Sequence, residues 1–398
     1  MSSDYKKIFE KARSYEADIA NFLADIVSIP SLSCGEKKVV ERIGNEMNDV
    51  GFDEVRVDGL GSIIGRIGSG KTVIAMDAHI DTVDVGVRDL WTFDPFDGHV
   101  KDGKVWGRGT ADQKGGMASM VYAGKLIKEL GLKGDYTLLI TGTVMEEDCD
   151  GLCWDYLIRE EKVKPDVCVI TEPTGLRIYR GQRGRMEMKV NVKGLSAHGS
   201  APERGDNAVY KMAPLVLDIA KLNDRLEPDD FLGKGSVVVS NISSVGPSLC
   251  AVPDGCSIHL DRRLTFGETK EIAVDQIRKI VEAEGGTVAI PVYHKPGYTG
   301  KAHPMDAYFP TWVTPEDHPS VKASVSAYEA LFDEKPIVDK WTFSTNGVTI
   351  SGVHGISCVG FGPGFEEQAH APDEWTPVDH LWKCSAFYAA FPGQYIDQ

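Results

Sequence analysis

The sequence predicts an α/β protein: a mostly parallel central sheet, interrupted by a separate α+β module. Three observations carry this. Apolar runs over 72–76, 136–145 and 166–170 are continuous rather than alternating, as in strands buried on both faces. Helical periodicity lies before and between them. In the middle of the chain the pattern changes to alternating strands and two long helices in the order βαββαβ.

Taken in order, Tyr5–Val27 places apolar residues at helical spacing until Ile29-Pro30 breaks it. Glu36–Val50 predicts a second helix, closed by Gly51. Glu54–Val57 and Ser62–Ile67 predict short strands about the turn at Asp58–Gly61. Thr72–Met76 runs into Asp77-Ala78-His79-Ile80-Asp81. The glycine-dense stretch GRGTADQKGG, Gly107–Gly116, leads into a helix over Gly116–Lys128. Tyr136–Met145 stops at Glu146-Glu147, and Asp166–Ile170 stops at Thr171-Glu172-Pro173. The inserted module then reads as strand Met186–Val192, helix Asn207–Leu226, strands Ser236–Val245 and Cys256–Leu264, helix Glu268–Glu284 and strand Thr287–Tyr293. Its expected limits are 183–295, between a first part over 1–182 and a second over 296–398. The second part begins a helix at Ser320–Phe332 and an apolar run at Ile356–Phe361, followed by Gly362, Pro363, Gly364 and His370.

A chain of 398 residues holds two or three domains and a sizeable core. Its net charge of −16 repels phosphate, which argues against nucleic acid as a partner. No apolar stretch reaches membrane-spanning length, and the N-terminus has the character of an amphipathic helix and no signal-peptide core. The eight cysteines are scattered without a Cys-x-x-Cys pair, which suits buried thiols in a reducing compartment. A cytoplasmic location is expected.

The chemistry is concentrated where apolar runs stop. In open α/β sheets, ligands bind beyond the carboxyl ends of the strands. His79, Glu146, Glu147 and Glu172 therefore converge on one edge, with Asp112 brought there by its glycine loop and His370 following the last run. A carboxylate has two oxygens and can bridge two cations, and Asp112 is the residue expected to do so. Two adjacent carboxylates such as Glu146 and Glu147 repel unless cations or protons intervene. Asp81 stands where it can hold the second nitrogen of a metal-bound His79. Taken singly, each motif also has an ordinary explanation: a histidine in a turn, a solvated acidic turn, a surface-loop histidine. Their order and their place at strand ends favour a shared site.

These motifs together, His79-Ile80-Asp81, GRGTADQKGG, Glu146-Glu147 and AHAPDE at 369–374, resemble the co-catalytic di-zinc aminoacylase/carboxypeptidase family. It includes acetylornithine deacetylase, succinyl-diaminopimelate desuccinylase and glutamate carboxypeptidase. The resemblance spans essentially the whole chain and is closest to a subgroup described as selenium-metabolism hydrolases. It implies a zinc-peptidase-like catalytic domain with a ferredoxin-like insert serving as lid and dimerisation domain over 183–295. It further implies two divalent metals, zinc first, with cobalt or manganese able to substitute. His79, Asp112 and Glu172 would hold one metal, and Asp112, Glu147 and His370 the other, about 3.5–4 Å apart. Glu146 would be the general base and Asp81 the partner of His79. His198 would stabilise the oxyanion across a homodimer. Asn241, Arg263, Asn346 and Gly362 would contact a small substrate bearing a carboxylate, with Arg262 the competitor for the role of Arg263. The implied reaction is hydrolysis of the amide bond of an N-acyl or N-carbamoyl amino acid or small peptide. A non-catalytic metal- or metabolite-binding relative is the other class, and it is disfavoured because no ligand and no base is missing. Asn346 departs from the family, in which many members have Gly-Thr-Asp where this chain has Ser344-Thr345-Asn346.

Overall fold

The computed structural model describes residues 3–398, which divide into two compact units. The first comprises the chain up to Gly181, then Lys295–His303 and Val313–Gln398; the second comprises Gln182–His294 and Pro304–Trp312.

The first unit is built on a sheet of β1 (Glu54–Val57), β2 (Ile63–Gly68), β3 (Thr72–His79), β4 (Tyr136–Thr143), β5 (Val167–Ile170), β6 (Ile178–Gln182) and β7 (Ser357–Gly360). Their order across the sheet is β1-β2-β4-β3-β5-β7-β6. β4, β3, β5 and β7 are mutually parallel, while β1, β2 and β6 pair antiparallel at the flanks. The parallel strands are the continuous apolar runs, and Ile74, Met76, Leu138, Ile140, Val167, Val169 and Val359 are all buried. Register aligns their ends: His79 pairs with Thr143, Asp77 with Ile170, and Gly360 with Ile170. The residues that follow each strand therefore emerge along one edge.

Helices cover this sheet. Gly115–Leu130 is buried along most of its length, and Ser385 of the Val378–Ile396 helix donates to the Ser119 carbonyl at 2.8 Å. The single N-terminal helix expected from periodicity is instead two, Ser3–Ser14 and Glu16–Val27. The chain bends at Tyr15, whose ring meets Tyr122 edge-on at 5.7 Å and whose hydroxyl donates to Glu129. An amphipathic pattern runs through such a bend without registering it.

The second unit is an antiparallel sheet in the order Ser236–Val245, Gly255–Leu264, Gly184–Lys193, Thr287–Ala289. In chain order this is 2-3-1-4, the ferredoxin-like arrangement. Helices Ala208–Asp224 and Lys270–Val281 supply Met212, Leu215, Ile219, Ala273 and Ile277 to a core with Met186, Met188, Val190, Ile258 and Leu260. Both helices start on a side-chain cap: Asn207 accepts the Val209 amide and Thr269 the Ile272 amide. Pro304–Trp312, read from sequence as part of the second catalytic segment, belongs to this unit. Tyr308 and Phe309 pair with Met186 and Arg185 and lengthen the sheet.

Candidate metal centre

The site is assembled at the carboxyl edge of the parallel strands. His79 closes β3 and is 1 % exposed. Its Nδ1 lies 3.0 Å from the main-chain oxygen of Asp81 and donates its proton there, which turns Nε2 toward the carboxylates. Nε2 faces Asp112 Oδ1 at 2.8 Å and Glu172 Oε1 at 3.5 Å. The other oxygen of Asp112, Oδ2, lies 3.4 Å from His370 Nε2, which in turn is 3.1 Å from Glu147 Oε2. His79, Asp112 and Glu172 form one cluster, and Asp112, Glu147 and His370 a second; in each, ligand atoms lie within 4.8 Å of one another. Asp112 belongs to both.

Each of these side chains has its own support. The Asp81 carboxylate accepts the amide N–H groups of Glu146 and Glu147 at 3.2 and 3.1 Å and the Ser33 hydroxyl at 2.6 Å. It thus fixes the backbone of the Glu pair as well as neighbouring His79. Glu36, fully buried, accepts from the amides of Cys34 and Met145 and ties the 31–36 loop to the same turn. The Asp112 loop rests on Glu374, whose two oxygens accept the amides of Gly109, Ala111 and Asp112. Neither Glu374 nor Glu36 was singled out from sequence. Glu374 stood in view as the last letter of AHAPDE, but nothing in spacing reveals which amides it serves.

The donor set fits two divalent cations. Asp112, Glu146 and Glu172 are buried and Glu147 nearly so. Burial pushes the Glu172 and Glu146 carboxyls well above the usual range, and neighbouring carboxylates add to it. Burial alone would lower the His79 pKa, but Glu172, Asp112 and Asp81 outweigh it and raise it. For Asp112 the sign reverses: burial would raise it, but His370 and His79 hold it below the ordinary range. So many acids around two imidazoles repel one another unless protons or cations intervene, and two divalent cations would relieve them. Glu172 Oε2 and Glu146 Oε1 are buried without a protein partner, as expected of atoms meant for a cation and for a reacting molecule.

Residues 75–394 match the model of peptidase family M20/M25/M40. The chain belongs to this family. It is thereby a metallohydrolase of the M20 type. The Escherichia coli K12 protein YgeY is 56 % identical over 390 residues, covering 98 % of this chain and 97 % of its own. A protein of Staphylococcus epidermidis described as probable succinyl-diaminopimelate desuccinylase is 27 % identical, covering 92 % and 94 %. The acetylornithine deacetylase of Proteus mirabilis is 26 % identical, covering 88 % and 89 %. Among solved structures, aminopeptidase PepT of Bacillus cereus superposes with a TM-score of 0.71 at 22 % identity, covering 96 % of this chain and 99 % of that one. Bacillus subtilis YxeP, described as a dinuclear metal binding peptidase from the M20 family, superposes with a TM-score of 0.70 at 14 % identity, covering 97 % and 99 %. These two likenesses concern the fold.

In this M20 protein the remaining candidate residues fall in different places. Asn346 is not on a ligand surface. It is 1 % exposed; its amide donates to Asp77 Oδ2 at 2.7 Å and to Thr143 at 3.2 Å, and its oxygen accepts the Gly151 amide at 2.9 Å. The expectation of a substrate contact is corrected: the amide satisfies the buried carboxylate of Asp77, a residue of β3. Gly362 is also buried, against the main chain of Thr171 and Glu172, where an added Cβ would lie 2.2 and 2.1 Å from their carbonyl oxygens. It packs against the backbone of Glu172, a member of the cluster with His79 and Asp112. Cys153 is a buried thiol that donates to the Asn346 side-chain oxygen at 3.3 Å, and it belongs to neither cluster.

In the second unit, Arg262 is fully buried and donates to Glu268 and to the carbonyls of Ser236 and Arg263. Arg263, on the opposite face of the same strand, is about one-third exposed and paired with Asp261 at 2.9 Å. Of the two, Arg263 alone is open to a ligand. Asn241 is exposed on Ser236–Val245, at the bulge after Val239. His198 is exposed; its Nδ1 accepts the Ser200 amide, which leaves Nε2–H as an outward donor.

Among the described residues no helix is long and apolar enough to cross a membrane.

Proposed function

We propose that this protein hydrolyses the linear amide C–N bond of an N-acyl or N-carbamoyl amino acid, or of a small peptide. The observation that carries the reading is Asp112, one buried carboxylate whose two oxygens face two separate histidine-carboxylate groups. His79, Asp112 and Glu172 would hold one ion, and Asp112, Glu147 and His370 the other. Two divalent ions, zinc foremost with cobalt or manganese able to substitute, supply charge that polarises the scissile carbonyl and acidifies water.

The rest is the work of side chains. Glu146 takes a proton from the attacking water and delivers it to the leaving nitrogen; its Oε1 has no protein partner and its main chain is anchored on Asp81. The Nε2–H of His198 is a donor of the kind that stabilises a developing oxyanion, serving a second chain as the family resemblance implies. Arg263 offers its guanidinium to a substrate carboxylate in exchange for Asp261, with Asn241 on the neighbouring strand.

A homodimer through 183–295 belongs to the same proposal. Ser236–Val245 is an edge strand that exposes Val238, Ile242 and Val245, each more than half accessible, beside the exposed Leu249. Such an edge invites a second strand. A cytoplasmic setting and kinship with the selenium-metabolism subgroup complete it.

The N-acyl reading draws support from relatives described as a desuccinylase and a deacetylase; PepT, described as an aminopeptidase, keeps peptides in the panel. The test is a turnover screen of metal-loaded protein against N-acyl amino acids, N-carbamoyl amino acids and dipeptides. Cleavage confined to one of these classes is expected. Full metal loading with no cleavage of any of them would end the proposal.

A further inference from the structure

The Asp112 loop, Gly107–Asp112, makes few of the main-chain hydrogen bonds of regular structure, yet its amides are buried and need acceptors. One residue takes most of them. The Glu374 main-chain oxygen accepts Gly107 N–H at 2.9 Å; its Oε2 accepts Gly109 N–H at 2.9 Å; its Oε1 accepts Ala111 and Asp112 N–H at 2.8 and 3.1 Å. The last bond is to the amide of Asp112 itself, so the carboxylate sets the position of the peptide that carries the shared ligand.

Glu374 is held in turn by Arg108. Nη1 donates to Glu374 Oε2 at 2.7 Å and to the Ala371 carbonyl at 3.3 Å, and Nη2 to the His370 carbonyl at 3.4 Å. Arg108 is 3 % exposed and Glu374 fully buried, and the guanidinium lies over the Trp91 ring at 5.0 Å. One ion pair therefore ties together the main chains of two loops, the one bearing Asp112 and the one bearing His370. Arg108 already engages the Glu374 carboxylate, and both oxygens of Glu374 are occupied by donors, so Glu374 is not itself a ligand.

We propose that Glu374, backed by Arg108, is a positioning residue of the metal centre that sets the affinity of both metals through Asp112, while Arg108 acts selectively on the His370 side. This rests on the two-metal reading above. Cobalt(II) titrated into the metal-free full-length protein, followed by calorimetry and visible absorption, tests it. Wild type should take two cobalt ions per chain. Glu374→Gln keeps the side-chain shape but places an amide NH2 among donors. It should weaken both sites about tenfold or more and shift the cobalt absorption bands, since outer partners of metal ligands affect affinity on that scale. Arg108→Lys keeps a cation beside Glu374 but loses the second nitrogen that reaches the His370 carbonyl. It should weaken one site by a similar factor and leave the other near wild type. Unchanged affinities and spectrum in Glu374→Gln would overturn the proposal. If circular dichroism shows that Glu374→Gln does not fold, Arg108→Lys decides alone: equal weakening of both sites, or of neither, overturns it. A wild-type chain that binds fewer than two cobalt ions would instead overturn the two-metal reading, so the two failures are distinguishable.

Discussion

Replacing Gly362 by alanine should remove one metal and spare the other. The added Cβ would stand 2.1 Å from the Glu172 carbonyl oxygen and 2.2 Å from that of Thr171, where ordinary contact begins at 3.4 Å. Both obstacles are main chain, so no rotamer change relieves them. The segment carrying Glu172 must retreat by more than 1 Å, whereas ligand distances in a metal site tolerate only about 0.2 Å. Glu172 serves only the cluster with His79; Glu147 and His370 hang on other segments. Metal analysis after desalting should therefore fall from two ions per chain toward one. Overpacking of this kind also costs about 1–3 kcal/mol, visible as a lower denaturation midpoint. Gly393→Ala is the control: it lies in the C-terminal helix with nothing within 4 Å of its added Cβ, and should keep both ions. Two tightly bound metals in Gly362→Ala, with unchanged stability, would show that the Thr171–Glu172 segment yields without moving its carboxylate, and the reasoning would fail.

Three other outcomes are expected. Glu146→Ala should keep its metal content but lose about 10²–10⁴-fold in turnover, the contribution of a positioned general base; a near-normal rate would remove Glu146 from that role. Burial pushes the Asp58 carboxyl up to about 6, against the pull of the Gly61 and Ser62 amides. The folded state then holds this proton more tightly than the unfolded state, so Asp58 makes stability decline as pH rises from about 4 to about 6. Denaturation midpoints of Asp58→Asn across that window should show a flatter slope than wild type, and parallel slopes would count against the assignment. Ile242→Lys places a charge on the exposed edge strand and should yield a monomer in sedimentation velocity, with its fold intact by circular dichroism; a persistent dimer would exclude that strand as the interface.

The sheet and the side chains gathered at its edge were legible because one physical cause writes both signals. A strand buried on both faces reads as a nearly continuous apolar run, and its carboxyl end marks the edge where a ligand can bind. His79, Glu146, Glu147 and Glu172 all stand at such points. What stayed hidden depended on contacts between distant segments. Nothing local distinguishes Glu374, at the end of a polar loop, from a solvated acid, and the bend at Tyr15 leaves helical periodicity intact. Pro304–Trp312 was misassigned because a two-residue strand pair carries almost no pattern. Asn346 misled for another reason: a departure from the family's Gly-Thr-Asp suggested a substrate contact, whereas its partner is Asp77 within β3. The choice between Arg262 and Arg263 was within reach. Cys256, Ile258, Leu260 and Leu264 point inward from the same strand, and the two-residue period puts Arg262 with them and Arg263 outside.

The parallel pairing of Ser357–Gly360 with Val167–Ile170 has a consequence for how the protein is made. A ribosome must deliver the entire inserted unit before this last central strand exists. His370 and Glu374 follow only after it. A nascent chain can thus present His79, Asp112 and Glu172 long before the second histidine arrives, and loop closure over that span is slow. On the proposal above, neither ion is held at full affinity until the segment carrying Glu374 has docked beneath the Asp112 loop.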